Sequence, residues 1–166
     1  MSEIAGVLER YRRGAELVAT VTTGAAGTEL DFHAGPGQWG VRQIACHLAD
    51  IEVVSAMRFR QVIAEDNPTL LAIVQDAWAE KLDYSTRKIS QALETLRRMR
   101  AENYELLKSQ PEGVFARTGT HSKRGVSSLL DMVKHMSEHT ENHVRQIQAV
   151  RAAYKQHRAK QQIGAQ

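Results

Sequence analysis

The chain has 166 residues, of which 42% are hydrophobic, enough for one domain with a substantial core. Its 22 basic and 19 acidic residues give a net charge of +3 and are interspersed, which makes a nucleic-acid-binding surface unexpected. No apolar run of about 18 residues could span a membrane, no apolar signal begins the chain, and Cys46 is the single cysteine. We therefore expect a cytoplasmic protein without an intrachain disulfide.

Apolar residues that recur every three or four positions predict an all-α protein. A first helix is expected from Ser2 to about Val21, with Gly14 as a weak point. A glycine-rich loop follows and ends at Gly40, which is the expected N-cap of a second helix from Val41 to about Glu65. Gln43, at the third position of that helix, can complete the cap.

The second half of the chain continues this pattern after a break at Asp66-Asn67-Pro68. A short helix is expected within 69–81, a third long helix from about Ser85 to Ser109, a loop over 114–126, and a final helix from about Ser127 to Tyr154.

Two histidines interrupt the apolar stripe of the final predicted helix, at positions 139 and 143. Residues four apart lie on one face of a helix, so His139 and His143 point together into the interior. A metal ion is the best reason for such a pair, and the alternative is a hydrogen-bonded core histidine. His135 falls to one side of the stripe and is the replacement ligand if one of the pair fails.

The second predicted helix supplies a third inward imidazole, His47, which lies among Ile44, Leu48 and Ile51. Three neutral imidazoles from two helices can hold a metal with an open coordination position. Arg58, further along the same side, is a candidate substrate-binding cation, with a salt bridge at the edge as the alternative. His121 can reach the mouth of the site from the predicted loop, or it is an exposed loop histidine.

With these residues in place, the sequence resembles the DinB/YfiT-like metalloproteins over roughly residues 30 to 150. The matching residues are Gly37-Gln38-Trp39-Gly40-Val41-Arg42-Gln43-Ile44, His47 to Glu52, Tyr84, Arg117 to His121 with Gly125, and His139-Thr140-Glu141-Asn142-His143 with Gln146-Ile147. Gly40 departs from the family, which often has Ser or Thr at this position.

The resemblance implies a four-helix bundle with a long crossover connection, formed by residues 1–155 and followed by a polar tail, 156–166. It implies a divalent metal on His47, His139 and His143, zinc or nickel first, with iron and manganese as alternatives. Trp39, Arg58, Tyr84 and His121 are the substrate-binding candidates.

The implied activity is that of a metal-dependent enzyme, a thiol S-transferase using a low-molecular-weight thiol or a hydrolase. The alternative is a non-catalytic metal-binding bundle that acts as a binding or stress-response module. No residue is an obvious general base, since Asp50, Glu52, Glu138 and Glu141 are interpreted mostly as solvated or as partners of the imidazoles.

Assembly is expected to involve a homodimer. Apolar residues on the second helix spread beyond one stripe, at Met57, Phe59, Val62 and Ile63, and the resemblance favours the same state.

Overall fold

A computed structural model describes residues 2–163, and within them the chain forms five α-helices. They are α1 (Glu3–Thr22), α2 (Val41–Ala64), α3 (Gln75–Lys81), α4 (Ile89–Lys108) and α5 (Leu129–Ile163). The four long helices form the bundle, with α1 packed on α4 and α5 and α2 packed on the same two helices. The prediction of an all-α four-helix bundle is confirmed. Short α3 lies in the connection from α2 to α4.

A small three-stranded sheet lies in the connections that were predicted to be helix or loop. It consists of β1 (Thr69–Leu70), β2 (Thr118–His121) and β3 (Gly125–Ser128). Strand β2 is central, parallel to β1 and antiparallel to β3. The short helix predicted within 69–81 is present at Gln75–Lys81, whereas Thr69–Leu70 and much of the loop predicted over 114–126 are strands, because β1 pairs with a segment far downstream.

Two helix boundaries also differ from the prediction. Helix α4 begins at Ile89 because Ser85 and Thr86 form a turn in which both hydroxyls donate to the carboxylate of Asp83, at 2.7 Å. Helix α5 continues to Ile163, so 156–163 of the predicted tail are helical, and 164–166 lie outside the described residues. The proposed division of the chain into domain and tail stays a prediction.

The predicted start of α2 is confirmed, with the backbone N–H of Gly40 donating to Gln43 Oε1 at 3.1 Å. A Cβ at position 40 would lie 3.0 Å from the carbonyl oxygen of Leu30 and 3.1 Å from that of Phe32. This crowding favours glycine over the Ser or Thr that is common in the family.

A buried polar layer separates two apolar clusters of the bundle core. One cluster is built around Ile44, Leu48, Leu96 and Ile147, and the other around Phe59, Leu70, Leu107 and Leu129. On every long helix the residues between these clusters are polar or small: Gly14 on α1, Glu52 on α2, Arg100 and Asn103 on α4, and Thr140 on α5.

The layer is held by one ion pair. Arg100 Nη2 donates to Glu52 Oε2 at 2.7 Å, and both side chains are almost fully buried. Arg100 also donates to Tyr11 O at 2.7 Å and to Thr140 Oγ1 at 3.0 Å. The Tyr11 hydroxyl and Asn103 Nδ2 donate to the second oxygen of Glu52. Glu52 was among the acids interpreted mostly as solvated or as partners of the imidazoles, and it is instead buried against Arg100, since α2 contacts both α4 and α5 and buries more than one stripe.

The surface gives two further results. No helix within residues 2–163 is long and apolar enough to cross a membrane.

Of the residues that suggested a dimer, Phe59 and Val62 are fully buried in the bundle, whereas Met57 is 64% exposed. The homodimer stays a prediction.

We expect Gly14→Ala to lower the melting temperature, although Ala is the better helix former by about 1 kcal/mol. A Cβ at position 14 would overlap Arg100 Nη1 and lie 3.1 Å from Thr140 Cγ2, so it would displace the ion pair. Gly6→Ala is the matched control on α1, because nothing lies within 4 Å of its added Cβ. Thermal unfolding of both variants checks this, and a Gly14→Ala protein at least as stable as Gly6→Ala would contradict it.

Candidate metal centre

Helices α2 and α5 bring the three predicted ligands together in the polar middle of the bundle. One ring nitrogen each of His47, His139 and His143 lies within 4.8 Å of the others. His139 Nε2 is 3.2 Å from His47 Nε2 and 3.2 Å from His143 Nε2. Since His139 and His143 are one helical turn apart, the rings of the pair are neighbours, with centroids 4.5 Å apart.

This spacing fits a metal ion. Metal–nitrogen bonds of about 2.0–2.1 Å in a tetrahedral site separate two ligand atoms by roughly 3.3 Å. Gln146 Oε1 lies 2.8 Å from His143 Nδ1, so it accepts the proton of that nitrogen and leaves the lone pair on Nε2. Among residues 2–163, no fourth His, Cys, Asp or Glu joins the group. The three-histidine set can therefore hold a divalent ion and leave coordination positions open.

The surroundings keep the imidazoles neutral. Burial lowers the pKa of His47 to about 3, with His143 adding to the shift and Asp50 opposing it. Burial also lowers the pKa of His139 to about 2, assisted by His143 and His47. The pKa of His143 is lowered by burial as well. Neutral imidazoles are the form that binds a metal.

A cleft of about 210 Å³ opens beside His139. It is lined by the apolar Ile51, Ala72, Ile73 and Met136 and by the polar Arg58, Gln75, His121, Lys123, Arg124 and His135. The structure therefore places two predicted substrate-binding residues, Arg58 and His121, on the same cavity as a predicted ligand. Arg58 has no Asp or Glu oxygen within 4.0 Å among the described residues, and His121 is only 8% exposed, while their role in substrate binding stays a prediction.

The other two substrate-binding candidates lie elsewhere around the site. The ring of Trp39 is 5.0 Å from that of His47. Tyr84 is almost fully buried and its hydroxyl donates to Asp50 at 2.8 Å, so it contacts α2 instead of lining the cleft. Their role in substrate binding stays a prediction.

His135 is outside the ligand group, and its Nε2 lies 2.7 Å from Arg124 Nη1.

Sequence reasoning missed two parts of the site. The first is the pair Glu52 and Arg100, which lies next to His139 through the contact of Arg100 with Thr140. Arg100 lies four residues after Leu96 and seven before Leu107, so the spacing of the apolar stripe of α4 was an available signal for its burial. The second is the cationic side of the cleft, for which the basic pair Lys123-Arg124 beside His121 was an available signal.

Comparison with known proteins identifies consistent relatives. The profile of the DinB superfamily matches residues 10–147. YfiT of Bacillus subtilis, named as a candidate metal-dependent hydrolase, is 31% identical over 94 residues, covering 57% of this chain and 53% of YfiT. A Geobacillus kaustophilus protein with the same type of name is 27% identical over 133 residues, 80% of this chain and 75% of that protein. The sequence match thus spans about half of YfiT and three quarters of the Geobacillus protein.

A solved structure of YfiT, described as a four-helix bundle of unusual topology, has the same fold. Its TM-score to this chain is 0.85 at 22% identity, and the match covers 90% of this chain and 87% of the other.

Replacing a ligand should release the metal. We expect His139→Ala to weaken metal affinity by more than about tenfold, since even partners outside the ligand set contribute about 10–100-fold at such sites. Metal content after dialysis, measured by elemental analysis, checks this. His157→Ala, at an exposed position of the same helix, is the matched control. Full metal content in His139→Ala, with loss in His135→Ala, would move the ligand set to His135.

Chelation should lower the melting temperature at pH 8, and the chelated protein should itself lose stability as the pH falls below 6.5. The folded-state pKa values of His47 and His139, about 3 and about 2, lie below the ordinary value of 6.5. Below pH 6.5 the unfolded chain therefore binds more protons than the folded chain does. The free energy of unfolding is highest above pH 6.5 and falls as the pH approaches the folded-state pKa values. Melting curves with and without chelator check this, and identical curves at pH 8 would contradict it.

Proposed function

The chain belongs to the DinB superfamily, and on that premise we propose that it is a metal-dependent hydrolase of a small-molecule substrate. The observation that carries the proposal is a three-histidine group with an open side. Structural zinc sites are usually closed by four protein ligands, whereas catalytic sites keep a position for water or substrate. A cleft lined by His139 supports this, since it would admit water or substrate to the side of the group.

Three residues would hold the ion, and their neighbours prepare them for it. His47, His139 and His143 present Nε2 atoms to one point, and Gln146 fixes the tautomer of His143. A divalent ion in such a set lowers the pKa of a coordinated water towards about 7 and polarises a carbonyl or phosphoryl oxygen. The metal that we propose is zinc or nickel, which imidazole ligands suit.

Thiol transfer is the second reaction that we propose for this centre. One observation favours it: no carboxylate among the described residues lines the cleft beside His139, so no acidic side chain is placed there as a general base. A thiol needs less assistance than water, because a metal deprotonates a coordinating thiol outright. A low-molecular-weight thiol would then be the co-substrate.

The test compares loaded wild-type protein with His139→Ala and His157→Ala. Each protein would be incubated with a panel of esters, amides and phosphate esters, and separately with a thiol and a model electrophile. We expect turnover by wild type and His157→Ala, and a loss of at least about 100-fold in His139→Ala, since a metal-activated nucleophile is removed. Stoichiometric metal without turnover of any panel member would favour a non-catalytic metal-binding module.

A further inference from the structure

The cleft beside His139 concentrates positive charge without a counter-ion. Arg58, Lys123 and Arg124 line it, and no carboxylate does among residues 2–163. None of the three has an Asp or Glu oxygen within 4.0 Å in that range. Other arginines that link elements of this fold are paired: Arg42 with Asp31, Arg87 with Asp50, and Arg151 with Glu29. Among the described residues, three clustered cations without a carboxylate partner therefore distinguish the cleft from these paired arginines.

The half-buried guanidinium of Arg58 has a cost in free energy that a bound anion would reduce. It is half-buried, and its pKa is lowered by burial and by the charge of Arg124. Its Nη2 donates to the carbonyl oxygen of Leu71 at 2.5 Å, which fixes the guanidinium at the cleft wall. A guanidinium has five N–H donors, so most of them remain for a ligand. A partly desolvated cation without an ionic partner is costly, and natural proteins usually pair it.

His121 and His135 hold the segment that carries Lys123 and Arg124 at the cleft. His121 Nδ1 accepts from the backbone N–H groups of Lys123 and Arg124, at 3.2 and 3.3 Å, so the proton of the neutral ring is on Nε2. His121 can therefore donate from Nε2. Arg124 Nη1 donates to His135 Nε2 at 2.7 Å, which ties the guanidinium to α5. The hairpin from β2 to β3 thus holds donors against the helix that carries His139.

We propose that this cluster, Arg58, His121, Lys123 and Arg124, binds an oxyanion group of the substrate, a carboxylate or a phosphate. This rests on the proposed function, because the bound anion would place the remainder of the molecule beside the three metal-binding histidines. Arginine is suited to the task since its planar fork binds carboxylate or phosphate oxygens in pairs. The apolar wall of Ile51, Ile73 and Met136 fits a short apolar body on the substrate.

The adjoining cavity does not cancel the charge. It has a volume of about 260 Å³, shares Arg58, His121 and Arg124 with the cleft, and adds the carboxylate of Asp131. Asp131 accepts a hydrogen bond from the Ser128 hydroxyl at 2.6 Å. With the histidines neutral, three cations face one carboxylate across the two cavities, so an anion is still attracted.

The first measurement is binding of inorganic phosphate and of succinate to the metal-free full-length protein at pH 8, by calorimetry. Removing the metal excludes direct coordination of the probe. We expect saturable binding by wild type, and a loss of about tenfold for Arg58→Gln and for Arg124→Gln, the usual effect of losing a hydrogen bond to a charged group. Comparing the two probes decides between phosphate and carboxylate. Circular dichroism confirms that each variant is folded.

Arg158→Gln is the matched control, since it removes the same charge from an exposed position about 35 Å along α5 from His135. It should bind both probes as wild type does. Equal affinity in wild type and Arg58→Gln, or no saturable binding to wild type, would overturn the inference.

The second measurement separates this inference from the proposed function. In the loaded protein, Arg58→Gln should raise KM about tenfold for an anionic substrate, and so lower about tenfold the ratio of kcat/KM for that substrate to kcat/KM for a neutral one. His139→Ala should still bind the probe anion without metal. Anion binding in a protein that neither holds metal nor turns over would reject the proposed function alone. Turnover that is insensitive to Arg58→Gln for anionic substrates would reject the anion site alone.

Discussion

The buried ion pair between Glu52 and Arg100 determines how the helices that carry the site are arranged. Arg100 reaches α1 through the Tyr11 carbonyl, α2 through Glu52 and α5 through Thr140. Removing one partner of a buried pair typically costs about 3–5 kcal/mol, because the other charge is left without compensation. Thr140 follows His139 directly, so the contact that fixes Arg100 also fixes the turn of α5 that carries a proposed ligand.

The molecule treats its internal charges in two different ways. In the bundle centre, the positive charge of Arg100 is balanced by Glu52, and its remaining field lowers the pKa of His139 slightly. The imidazoles beside it are kept neutral by burial, which suits a metal ion. At the cleft, Arg58 and Arg124 have no such balance. In the bundle centre the buried charges of Arg100 and Glu52 balance each other without a substrate. At the cleft the charges of Arg58 and Arg124 would be balanced only by a bound anion.

The sequence allowed the ligands to be predicted because their signal is local. His139 and His143 interrupt a regular apolar stripe, and a period of about 3.6 residues is sufficient to orient them. Glu52 has a similar spacing, four residues after Leu48 and seven before Phe59, but its partner Arg100 lies on another helix, and spacing within α2 does not identify that partner. Strand β1 has two residues and exists only through pairing with β2. Contacts between distant segments, which no periodicity reports, decide both cases.

The bundle helices position the three metal-binding histidines, whereas the connections between helices position most of the residues around the cleft. Helices α2 and α5 hold the three imidazoles on rigid, neighbouring faces, as a preorganised ligand set requires. The hairpin of β2 and β3 brings His121 and Arg124 to the cleft, and Leu71, just after β1, fixes Arg58. Since β1 pairs with β2, the small sheet supports both the side of the cleft that carries Arg124 and the Leu71 carbonyl that holds Arg58. Changes in these connections can alter which group is recognised without moving the residues that would bind the metal.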